Sequence, residues 1–110
     1  KVKPFIKEFH YYLDVLKNFS DWTIQRLETN KDDVSAAAND YLKTLGYISL
    51  AFSWIKVLNI SFKDYEENKK FYDDKINTAK FYFEKVLPRA EQHYKSAITG
   101  SLNIMNFKFS

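Results

Sequence analysis

Few residues in this 110-residue chain are of a kind and spacing that could do chemistry, and each candidate fails on geometry. The two histidines, His10 and His93, belong to no H-x-x-x-H or E-x-x-H pattern, the spacing that puts two ligands on one helix face in zinc and di-iron bundles. Both are expected at a surface or an edge. The absence of cysteine removes thiol catalysis, thiolate-bound zinc and disulfides together. Glu66-Glu67 and Asp73-Asp74 are adjacent, and neighbours on a helix point about 100° apart, so neither pair can share one substrate atom. The serines at 20, 49, 53, 61 and 96 lack the G-x-S-x-G turn of an activated nucleophile. Two glycines are too few for a phosphate-cradling loop. The sequence thus offers no catalytic, cofactor-binding or metal residue.

Aromatic residues make up 18% of the chain, with Phe81-Tyr82-Phe83 as the densest run. A stacking site for an isoalloxazine or adenine ring could be built there, but aromatics at helical spacing are more often packing. The expectation is that Phe83 faces the core while Phe81 and Tyr82 point aside. A net charge of +3 arises from 17 basic and 14 acidic residues that are interleaved, which describes a solvated surface and not a nucleic-acid footprint. The longest uncharged run, Thr44 to Ile55, is half of the roughly 20 residues that cross a bilayer, so no membrane span is expected. The chain begins at Lys1 with no leader pattern. It reads as a piece of a longer polypeptide, with the cytoplasm as its expected compartment.

The elements that would position any site are helices. Two glycines and two prolines cannot supply the turns of a many-stranded sheet, which predicts an all-α fold. One domain, residues 1–110, is expected as an antiparallel up-down-up bundle of three long helices, about 4–29, 33–62 and 68–98, with an apolar C-terminal tail. Pro4 suits the first turn of the first helix, where its missing N–H is not needed. Phe5, Phe9, Tyr12, Leu13, Leu16, Thr23 and Leu27 then form its core stripe. Asp32 or Asp33 is expected to cap the second helix.

The segment Tyr41–Ile60 carries only Lys43 and Lys56 as charges and is apolar around most of its circumference. Two stripes, one through Leu45, Ile48 and Phe52 and one through Leu50 and Trp54, predict burial on two sides. Gly46 inside it predicts a close helix contact, because glycine there costs ~1 kcal/mol against alanine. In the third helix Tyr72, Ile76, Ala79, Phe83, Val86, Ala90, Tyr94 and Ala97 step by three or four through Pro88. That predicts one kinked helix, with Gly100 as its stop.

Two sets of residues are left over. Tyr11, Val15 and Trp22 form a second, thinner stripe on the first helix, and Phe107 and Phe109 mark the tail. Together they are the expected docking surface for the rest of the protein.

Two stretches, Asn39-Asp40-Tyr41-Leu42-Lys43-Thr44-Leu45-Gly46 leading to Trp54, and Asn77 to Pro88 (NTAKFYFEKVLP), resemble the extra C-terminal helical domain of a subset of bacterial acyl-CoA dehydrogenases. The resemblance spans nearly the whole chain and is carried by packing residues. It implies a parent that uses FAD to oxidise an acyl-CoA thioester between its α and β carbons, with the flavin and catalytic residues upstream. It further implies a role here in packing against the remainder of that dehydrogenase, in bracing a homo-oligomer or in shielding the acyl end of the site. The isolated segment is then expected to be inactive. The other reading is a free-standing helical interaction module.

Overall fold

The computed structural model describes residues 1–109, with side chains through Thr99. It is all-α, with no strand among the described residues. Helix α1 spans Lys3–Thr29 and α2 spans Lys31–Lys63. A single 3-10 turn, Tyr65–Glu67, leads to α3, Lys69–Phe81. A π-helical turn at Tyr82–Val86 then joins α3 to α4, Arg89–Phe109. The molecule is a rod of 63 × 21 × 18 Å.

Asparagines start α2 and α3, and for α2 this replaces the expected cap by Asp32 or Asp33. Asn30 alone separates α1 from α2: its N–H donates to the Arg26 carbonyl at 2.7 Å and its side-chain oxygen accepts from the Asp33 N–H at 3.4 Å. One residue therefore closes one helix and opens the next. Asp32 and Asp33 sit inside the first turn of α2 instead, where the helix dipole favours them. Asn68 caps α3 in the same way, accepting from the Phe71 N–H at 3.2 Å.

The cross-helix pairs give the arrangement. Along α1 and α2 they run Phe9 with Phe52, Phe19 with Tyr41 and Arg26 with Asp33. Between α2 and the last helices they run Trp54 with Tyr82, Thr44 with Ala90 and Asp40 with His93. The main core joins Tyr12 and Val15 of α1, Ile48, Ala51, Ile55 and Leu58 of α2, and Ile76, Ala79, Phe83, Leu87 and Ala90 beyond. A smaller cluster of Phe19, Ala37 and Ala97, with Trp22, Tyr41 and Tyr94 against it, fills the end near Asn30.

Where a kink was expected at Pro88, a π turn interrupts the α-helix. Pro88 has no N–H for the Glu84 carbonyl, and the Leu87 N–H bonds back to the Tyr82 carbonyl at 2.8 Å, five residues away. The wider turn lets two consecutive side chains reach the core, so Tyr82 is buried beside Phe83 and only Phe81 points aside. That corrects the expectation for Tyr82. Gly100 is not a stop: α4 continues through it, with no glycine at positive φ. Residues 101–109 are therefore helical backbone and no separate tail.

Three packing expectations are also corrected. Gly46 makes no close contact, since a Cβ built on it would meet nothing within 4 Å. Only one face of α2 is buried, so Leu45 and Phe52 are 39% and 48% exposed although Ile48 is at 3%. In α1 the stripe turns by one position, burying Val15 and leaving Leu13 and Leu27 outside.

Candidate functional site

Two regions stand out from the packing, a polar seam between α2 and α4 and an apolar face on the outside of α1 and α2. The seam begins where the α2 stripe turns polar. Thr44 is fully buried, and its hydroxyl lies 2.9 Å from the Asp40 carbonyl one turn back and 3.1 Å from the Ala90 carbonyl across the interface. One turn away the Asp40 carboxylate meets the His93 Nδ1 at 2.8 Å, both side chains being about three-quarters buried. The His93 ring stacks on Tyr47, with centroids 5.9 Å apart and planes 17° from parallel. Tyr82, projected inward by the π turn, donates its hydroxyl to the Tyr47 carbonyl. Burial, with the neighbouring Tyr47 adding to it, pushes the Tyr82 phenol up to about 12.

The seam contains an acid–imidazole pair, which raises the question of a catalytic dyad. A dyad needs a nucleophile or a substrate proton within hydrogen-bond reach of the imidazole. Thr44 gives its proton to backbone carbonyls, Tyr82 gives its own to the Tyr47 carbonyl, and Tyr47 meets the imidazole with its ring face. The arrangement clips two helices together, and among the described residues no hydroxyl is hydrogen-bonded to the imidazole. No group of three or more His, Cys, Asp or Glu residues that could hold a metal ion occurs among the described residues. The aromatic run 81–83 does not fit a flavin either, because Tyr82 and Phe83 are buried in the core and Phe81 stands alone at the surface.

The residues expected to form a docking surface are divided by the structure. Val15 lies in the main core at 6% exposure. Trp22 is half-buried, edge-on to Phe19 at 6.0 Å and covered by the Arg26 guanidinium at 5.6 Å, which in turn lies 3.8 Å from the buried Asp33 carboxylate. Tyr11 is half-exposed and donates its hydroxyl to Glu91. That hydrogen bond is the main cause raising its phenol pKa. Phe107 and Phe109 lie outside the described side chains.

The surface that sequence reading missed is the outer side of the α1–α2 pair. Ile6, Leu13, Ile24 and Leu27 of α1 and Leu42, Leu45 and Phe52 of α2 are all exposed, Leu42 by 65%. Helical spacing sets them on one side. Between them an apolar hollow of about 270 Å³ is lined by Thr23, Val34, Ala37, Ala38, Tyr41 and Leu42. The uncharged run alone predicted no membrane span, but α2 as a whole is long and apolar enough to cross one, and 28% of its most apolar window is buried here. The signal for this face was present in the sequence as the two-sided hydrophobicity of α2; what could not be read was that the side of Leu42, Leu45 and Phe52 is left uncovered among the described residues.

Comparison with known proteins adds one finding. Residues 1–108 match the family model described as acetyl-CoA dehydrogenase C-terminal like. Neither a curated protein nor a solved structure matches the chain.

Proposed function

Because the chain belongs to the acetyl-CoA dehydrogenase C-terminal-like family, we propose that it is the accessory C-terminal domain of a flavin-dependent acyl-CoA dehydrogenase and serves that enzyme by docking or oligomerisation. The single observation that carries this reading is the family match over residues 1–108. The parent chain, on this reading, binds FAD and oxidises an acyl-CoA thioester with residues that lie outside this segment. The segment itself is an up-down-up helical bundle, a reading the cross-helix pairs of α1, α2 and the last helices support. Its role is mechanical, and the largely buried seam of Asp40, Tyr47 and His93 is what fixes the spacing of α2 and α4. The cytoplasm is the proposed compartment.

The test is the full natural polypeptide. It should purify yellow with bound flavin and reduce an electron acceptor when given acyl-CoA, whereas residues 1–110 alone should do neither. Turnover by the isolated segment, or a colourless and inactive full chain, sinks the reading. The second reading, a free-standing helical interaction module, draws on the exposed apolar face of α1 and α2. A reading frame that continues upstream for several hundred codons separates the two in favour of the enzyme.

A further inference from the structure

From the shape of the α1–α2 outer face we infer that a second copy of the chain docks there about a two-fold axis passing near Leu45. The inference deepens the docking role proposed above and rests on it. The face has a hollow at one end and a knob at the other. The hollow is the apolar pocket floored by Ala37 and Ala38. The knob is Phe52, half-exposed, stacked on Phe9 at 5.9 Å and capped by the Lys56 ammonium 4.5 Å from its ring. Along α2 the two lie 14 residues apart, about 21 Å at helical rise, and Leu45 is midway between them.

A single face that carries both a knob and its hole is matched by its own copy when a two-fold axis lies halfway between. Knob then enters hole twice, which is the signature of an isologous contact. The hollow of about 270 Å³ is roomy enough for a phenyl ring. Area points the same way. The 27 residues of α1 give roughly 40 Å of length, and the rod is 21 Å across. The face therefore offers on the order of 800 Å² per copy, the size of a standard stable interface. By helical spacing its charges are Lys17, Lys31 and Lys56, none of them in the strip between knob and hole; the Lys56 ammonium that lies on the ring has to swing aside on its flexible stem as Phe52 enters the hollow, which keeps its charge in water.

The test places a thiol on the axis. Because residues 1–110 contain no cysteine, Leu45→Cys in the full natural polypeptide puts two copies of one new thiol face to face. Mild oxidation should yield a peptide spanning position 45 linked to itself, detected by mass spectrometry under non-reducing conditions. Leu50→Cys, exposed on the other flank of α2, should give no such peptide. Adding Ala38→Arg, at an exposed position that leaves the bundle's own contacts in place, should fill the hollow and cut the linked yield by about thirtyfold or more, the effect of losing a hot spot. Unchanged helical circular dichroism would confirm that the fold persists. No self-linked peptide at position 45, equal linkage at position 50, or linkage indifferent to Ala38→Arg each overturns the inference. Protection of position 45 from alkylation without linkage also overturns it, since another part of the polypeptide then covers the face. Failure of the enzymatic reading shows separately, as missing flavin and missing turnover.

Discussion

Tyr82 shows how one side chain ties the backbone irregularity to stability. The π turn swings it into the core, 7% exposed, and its hydroxyl is held by the Tyr47 carbonyl. A phenol raised to about 12 in the fold keeps its proton when the unfolded chain, near 10, has already lost it. Its stabilising contribution is therefore complete below about pH 10 and is lost as pH rises toward 12, a fall of order 2 kcal/mol. Urea melts of the parent chain and of Tyr82→Phe between pH 8 and about 11.5 should converge at the alkaline end. A gap between them that stays constant with pH would refute the assignment. Trp22 supplies a second residue-scale prediction. Packed on Phe19 and under Arg26, it now belongs to the fold and not to a free surface, so Trp22→Ala should cost about 2–4 kcal/mol in a denaturant melt. A loss under about 0.5 kcal/mol would return it to the surface role.

At the scale of the element, α2 decides what could be read from sequence and what could not. The stripe of α3 and α4 was legible because apolar residues and alanines recur there against a polar background, and Ile76, Ala79, Phe83, Ala90 and Ala97 are buried as expected. In α2 that background is missing. Large apolar residues surround the helix, so periodicity sets no direction, and the residues that do face inward include Thr44, Ala51 and Ser61, which size alone would not select. Choosing the bulkiest stripe put Leu45 inside and left Leu58 unremarked. The Asp40–His93 contact was out of reach for another reason: the partners lie 53 residues apart, and only the register between two helices brings them together. Leu58→Ala should accordingly cost about 2–5 kcal/mol, and Leu45→Ala much less in the isolated chain. Gly46→Ala should stabilise by about 0.5–1 kcal/mol, because the added methyl meets nothing and the helix loses a flexible position. Thermal melts of the three variants test the direction of burial in α2. Leu45→Ala proving as costly as Leu58→Ala would reverse it.

For the whole molecule the question is how a thin rod with one long apolar flank stays folded. A 110-residue chain buries about two thirds of its unfolded surface when it is compact, and a shape of 63 × 21 × 18 Å keeps a larger share wet. Leu42, Leu45, Phe52, Ile24 and Leu27 stabilise a lone copy less than fully buried side chains would, since 39–65% of their area stays in water. If that area is covered by a second copy, folding and association are linked, and apparent stability must depend on protein concentration. Each tenfold rise in the concentration of residues 1–110 above the dissociation constant should then raise the free energy of unfolding by about 1.4 kcal/mol per mole of dimer. Ala38→Arg should abolish that dependence while leaving the melt of dilute protein nearly unchanged, because position 38 makes its contact only across the interface. A melting temperature that is flat from about 1 to 100 μM, under conditions where unfolding is reversible, would mean that the rod is stable alone. The apolar flank would then serve the rest of the polypeptide and not a second copy.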